Sequence, residues 1–144
     1  MLRLLTFLLA VTISTTAIAQ QNYFYPNSGS FNPSIPTPEQ FLGYAIGAQH
    51  TRHDKIVAYF QKLDELSDRM TTRIIGKTFE QREQITAVFT SPQNHARIEE
   101  IRKAHLAGQI NGNTENIPLV IHLGYNVHGN EPSSSEAAML TAYY

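Results

Sequence analysis

His128 and Glu131, separated by Gly129 and Asn130, are the residues of this 144-residue chain whose types and spacing most clearly point to chemistry. An imidazole and a carboxylate are first-rank zinc ligands, and two intervening residues allow both side chains to converge on one ion. Pro132 restricts Glu131 to extended conformations, so the carboxylate is expected to project from a loop rather than from a helix. The chain contains no Cys, which removes thiolate ligands and disulfides and leaves His, Asp and Glu as metal donors. A zinc-bound imidazole usually donates its second N–H to an acceptor, and Asn126 or a residue further along is the expected partner.

The elements around the pair are legible from pattern. Residues 117–123 are almost continuously apolar, which predicts a strand buried on both faces of a sheet. Ligands of open α/β sheets collect just beyond the carboxyl ends of such strands. Ser133 and Glu136 match a capping box that opens a helix over the following residues. That helix carries no Gly or Asn terminator and no basic last turn, so the chain is expected to be the N-terminal piece of a longer protein. Upstream, Ile56, Tyr59, Phe60, Leu63 and Leu66 recur at helical spacing and predict an amphipathic helix over 52–67. Residues 71–79 and 83–90 are β-branched and alternating, and the Glu80-Gln81-Arg82 break between them predicts a hairpin. Ser91-Pro92 starts a second helix with Ile98, Ile101 and His105 on one stripe, and residues 108–116 form a Gly- and Asn-rich loop. The order helix, strand, strand, helix, strand, helix predicts an α/β fold, a mixed sheet with helices packed on it.

The N-terminus predicts export. Met1-Leu2-Arg3 is a short positive region, residues 4–10 are apolar, and Ala17-Ile18-Ala19 is a small-x-small cleavage pattern, giving a secretory signal over 1–19. Thr12, Ser14, Thr15 and Thr16 make the stretch too short and too polar to span about 30 Å of hydrocarbon, so no stable membrane anchor is expected. Residues 20–38, rich in Pro, Asn and Ser, read as an extended leader, and 39–144 as part of a folded domain. A secreted or periplasmic protein follows. The net charge of -1 with no basic cluster gives no electrostatic case for nucleic acid.

The run Leu123-Gly124-Tyr125-Asn126-Val127-His128-Gly129-Asn130-Glu131-Pro132 resembles the first metal motif of the zinc carboxypeptidases (carboxypeptidase A/B-like enzymes, or funnelins). The resemblance covers roughly 38–144 and includes the order of the preceding elements. It implies a three-layer α/β/α fold around a mixed sheet and assigns zinc coordination to His128 and Glu131. It also implies a third ligand, a His, and a general-base Glu further along, with none of the catalytic residues in these positions. The implied activity is hydrolysis of the C-terminal bond of a peptide substrate with a free C-terminus. Asn130 stands where pancreatic-type members carry an Arg, and the leader is too short for a globular inhibitory pro-segment.

Other candidates have structural explanations. His122 lies inside the apolar run and reads as a core histidine; His50 and His53 flank a solvated helix start beside Arg52 and Asp54. His95 and His105 are too far apart on one predicted helix to share an ion, and Ser133-Ser134-Ser135 lies in no G-x-S-x-G elbow. Competing functions retain the fold. One is a zinc amidohydrolase acting on cell-wall peptides or N-acyl amino acids, and the other is a non-catalytic binding module. Neither substrate specificity nor oligomeric state is legible in the residues.

Overall fold

Helix α2 (His53–Leu66) is the element around which the others collect, and its sequence explains why. Ile56, Tyr59 and Leu63 share one face, while Asp54, Gln61 and Glu65 lie exposed on the other. Those apolar side chains form a buried core with Met70 and Met139, and Ile35, Phe41, Leu42, Phe60, Ala87 and Ala142 pack against it. The computed structural model describes residues 29–112 and 115–144, without the side chains of 109–111. The expected secretory signal and the first part of the leader lie outside the described residues. The chain forms two compact units, one of them residues 33–143, which holds all the elements named here. Of the other, residues 29–32 and Tyr144 are described, and the Phe31 and Tyr144 rings meet edge to face at 5.2 Å.

Helix α1 (Pro38–Leu42) begins at the last residue of the expected extended leader. Its capping is reciprocal: Gln40 N–H donates to Thr37 Oγ1 at 3.2 Å, and Thr37 N–H donates to Gln40 Oε1 at 2.9 Å. Gly43, at φ +80°, closes the helix in the left-handed region that glycine adopts without strain.

The expected hairpin forms. Strands β1 (Met70–Lys77) and β2 (Glu83–Phe89) pair antiparallel from Met70↔Phe89 to Lys77↔Glu83, with an irregularity between Ile74 and Gly76. Asp64 of α2 anchors the hairpin, since its Oδ2 accepts the Thr72 N–H at 2.7 Å and also the Thr72 hydroxyl. Helices around this small two-stranded sheet make the fold mixed α/β.

The helix expected from Ser91-Pro92 is two segments, α3 (Pro92–His95) and α4 (Ile98–Asn111). Ser91 caps α3 by accepting the Asn94 N–H at 3.3 Å. Arg97, at φ -127° and ψ 25°, interrupts the helical path, so His95 and His105 sit on different segments rather than on one helix.

Residues 117–123 correct the sequence reading more substantially. They form no strand, and Leu119, Ile121 and Leu123 are 85%, 73% and 60% exposed rather than buried. The reason is non-local. A strand apolar on both faces needs paired neighbours, and the sheet among the described residues consists of β1 and β2, neither of which pairs with this run. His105 Nε2 meets the Pro118 carbonyl at 2.8 Å and ties the start of the run to α4. Helix α5 (Ser133–Tyr143) follows and inserts Met139 into the core. Among the described residues no helix is long and apolar enough to cross a membrane.

Tyr59 supplies a test of the core. Its ring is fully enclosed and its hydroxyl donates to the Pro36 carbonyl at 3.0 Å. Burial, followed by the neighbouring Tyr143 and Glu39, pushes the phenol's pKa well above its ordinary value of 10.0. The unfolded phenol therefore ionises first, so this contribution is fully present below pH 10 and is lost as the pH rises through the folded value. Tyr59→Phe should cost about 1 kcal/mol at neutral pH. It should also flatten the decline in stability above pH 10, as read by denaturant titrations on either side of that pH.

Candidate metal centre

The loop carrying His128 and Glu131 is shaped by the helix that follows it. Asn126 lies at φ +55°, a left-handed conformation that Asn tolerates better than most residues. Its backbone N–H donates to Ser134 Oγ at 2.8 Å, and its side-chain Oδ1 accepts the Ser135 hydroxyl at 3.0 Å. Just before it, the Tyr125 hydroxyl donates to Thr141 Oγ1 at 2.8 Å, laying the approach to the loop along α5. Between these anchors the chain turns at the candidate ligands themselves. Glu131 N–H donates to the His128 carbonyl at 3.2 Å, and the Glu131 carbonyl accepts Ser134 N–H at 3.3 Å. His128 and Glu131 therefore occupy one hydrogen-bonded turn, and both are exposed. Glu131 sits in the loop ahead of α5, as the following proline required.

The first turn of α5 is in turn fixed to the body of the unit by Glu136, which is buried. Its Oε2 accepts the Gly47 N–H at 2.8 Å, and its Oε1 accepts the Thr51 hydroxyl at 2.8 Å. Thr51 is fully buried, and its Oγ1 lies 3.1 Å from the Tyr44 hydroxyl. Because Thr51 donates to the carboxylate, Tyr44 is the donor in that second contact. The capping box expected from Ser133 and Glu136 is thus corrected. Ser133 is the first helical residue, and the Glu136 oxygens face partners in the 44–51 segment rather than the helix start.

Among the described residues none of the remaining histidines joins this turn in a group of three metal donors. His53 is the first residue of α2, where Arg52 and Asp54 form an exposed ion pair at 3.0 Å, in keeping with a solvated helix end. His122 lies in the exposed run and not in the core that its setting predicted. Asn126, offered by the sequence as an acceptor for the imidazole, receives the Ser135 hydroxyl instead.

The donor set suits zinc in kind: one imidazole and one carboxylate, accessible and close along the backbone. Among the described residues no group of three or more His, Asp or Glu side chains is disposed to hold a metal ion. Among the described residues His128 and Glu131 therefore remain the candidate pair. The gripping residues Ser134, Ser135, Thr51 and Gly47 were not identified from the sequence. An Asn two residues before a candidate ligand is a turn signal that hints at Asn126, whereas nothing local marks Thr51 or Gly47 as partners of Glu136. Compared with known protein families, curated proteins and solved structures, the chain matches none.

Glu136→Ala leaves a backbone N–H and a buried hydroxyl without their acceptor, so it should destabilise the fold by about 2 kcal/mol. Ser133→Ala, on an exposed side chain, should change stability by less than about 0.5 kcal/mol. Chemical denaturation of the two variants side by side checks this contrast, and a capping-box account predicts a substantial loss for both.

Proposed function

We propose that this chain carries the first metal motif of an exported zinc metallocarboxypeptidase with a three-layer α/β/α fold, acting on peptides with a free C-terminus. The observation that carries the reading is the single hydrogen-bonded turn holding His128 and Glu131, gripped from below by the first turn of α5. The motif resemblance and the absence of Cys support the same donor set, and the mixed α/β organisation is compatible with it.

In this reading His128 contributes a neutral imidazole nitrogen and Glu131 a carboxylate oxygen to the metal. A zinc ion held there would supply Lewis-acid polarisation of the scissile carbonyl and would activate water for attack. The chain's own contribution is to present both donors on a short, braced loop. Their exposure keeps both donors accessible to a metal ion and to a substrate. Asn130, between the ligands, places a neutral amide next to Glu131 and offers hydrogen bonding without positive charge.

The protein should bind one zinc per chain, and His128→Ala or Glu131→Ala should each abolish it, as measured by elemental analysis of the folded variants. A peptide with a free C-terminus should lose its terminal residue in a chelator-sensitive reaction followed by mass spectrometry, while its C-terminally amidated counterpart persists. Unchanged zinc content in both variants would remove the assignment.

A further inference from the structure

The serines after the metal loop match no nucleophile pattern, yet two of them make the contacts that define the loop. Val127 to Ser133 form a short excursion whose two ends are brought together by Ser134 and Ser135 acting on Asn126. Ser134 Oγ takes the Asn126 N–H at 2.8 Å, and the Ser135 hydroxyl donates to Asn126 Oδ1 at 3.0 Å. Ser135 is buried. The adjacent Glu136, also buried, bonds the same helical turn to Gly47 and Thr51, so the clamp stands on a turn anchored at a second point.

We infer that Ser134 and Ser135 are positioning residues for the His128–Glu131 pair, closing the base of the loop so that both ligands are preorganised for the metal. The inference rests on the zinc reading above and deepens it. An unbraced excursion of this length samples many conformations, and ordering it on metal uptake opposes binding. A loop already closed at its base and turned at His128 and Glu131 has less to lose. Asn126 suits the receiving position because it tolerates the left-handed backbone while offering a side-chain acceptor at the same residue.

The test is zinc affinity of the protein, measured by competition with a chromophoric chelator at a temperature where every variant is folded. Ser135→Ala should weaken zinc by roughly tenfold, the lower end of what removing a supporting hydrogen bond around a metal site costs. Asn126→Gly keeps the positive φ without strain but lacks Oδ1, so it should produce a similar loss. The two changes combined should lose no more than either alone, because both delete the same bond. Ser135→Thr keeps the hydroxyl and should restore affinity. A merely structural role would lower the melting temperature and leave the chelator competition untouched. Wild-type zinc affinity in Ser135→Ala and Asn126→Gly, or fully additive losses in the pair, would overturn the inference while leaving the metal reading intact. A wild-type protein that takes up no zinc would overturn both.

Discussion

The carboxylate of Glu136 is the constraint on which the arrangement depends. It joins positions far apart in sequence, accepting from Thr51 across 85 residues and from Gly47 across 89. A buried carboxylate is costly unless its oxygens are satisfied, and here each receives a donor. The consequence is positional. The first turn of α5 is held with Met139, three residues on, buried in the α2 core and with Ser134 and Ser135 bonded to Asn126. Removing the carboxylate would release a turn that the apolar core holds only further along the helix.

That fixed turn is what gives the loop a defined geometry. Loops of this kind carry chemistry because a rigid scaffold sets their ends while their tips remain accessible. The ends here are set by hydroxyl and amide hydrogen bonds, and the tip presents an imidazole and a carboxylate on a common turn. The exposed apolar run before the loop contrasts with this order. Leu119, Val120, Ile121 and Leu123 lie open to solvent, while Tyr125 and Asn126 immediately after them are bonded to α5.

What was legible in the sequence divides along the line between local and distant causes. The α2 helix and the hairpin follow from periodicities of Ile56, Tyr59 and Leu63 and of residues 71–79 and 83–90, and both formed as read. His128 and Glu131 are candidates by residue type and spacing, and the loop setting of Glu131 expected from Pro132 is the one observed. The failures have distant or competing causes. The apolar pattern of 117–123 records a preference for burial, which only partner strands can satisfy. The Ser133/Glu136 pair fits a local cap equally well on paper, but the segment at 44–51 offers Glu136 two donors that a local pattern cannot reveal. The break at Arg97 has no glycine or proline to announce it, and the structure offers no physical account of its position.

The central claim is that His128 and Glu131 bind zinc through nitrogen and oxygen from a prearranged loop. Zinc K-edge X-ray absorption on the protein tests it most directly. The account predicts a first shell of nitrogen and oxygen at about 2.0–2.2 Å with outer-shell imidazole scattering. That scattering should weaken when His128 is replaced. A spectrum identical in wild type and the His128 variant, or one dominated by sulfur scattering at about 2.3 Å, would contradict it.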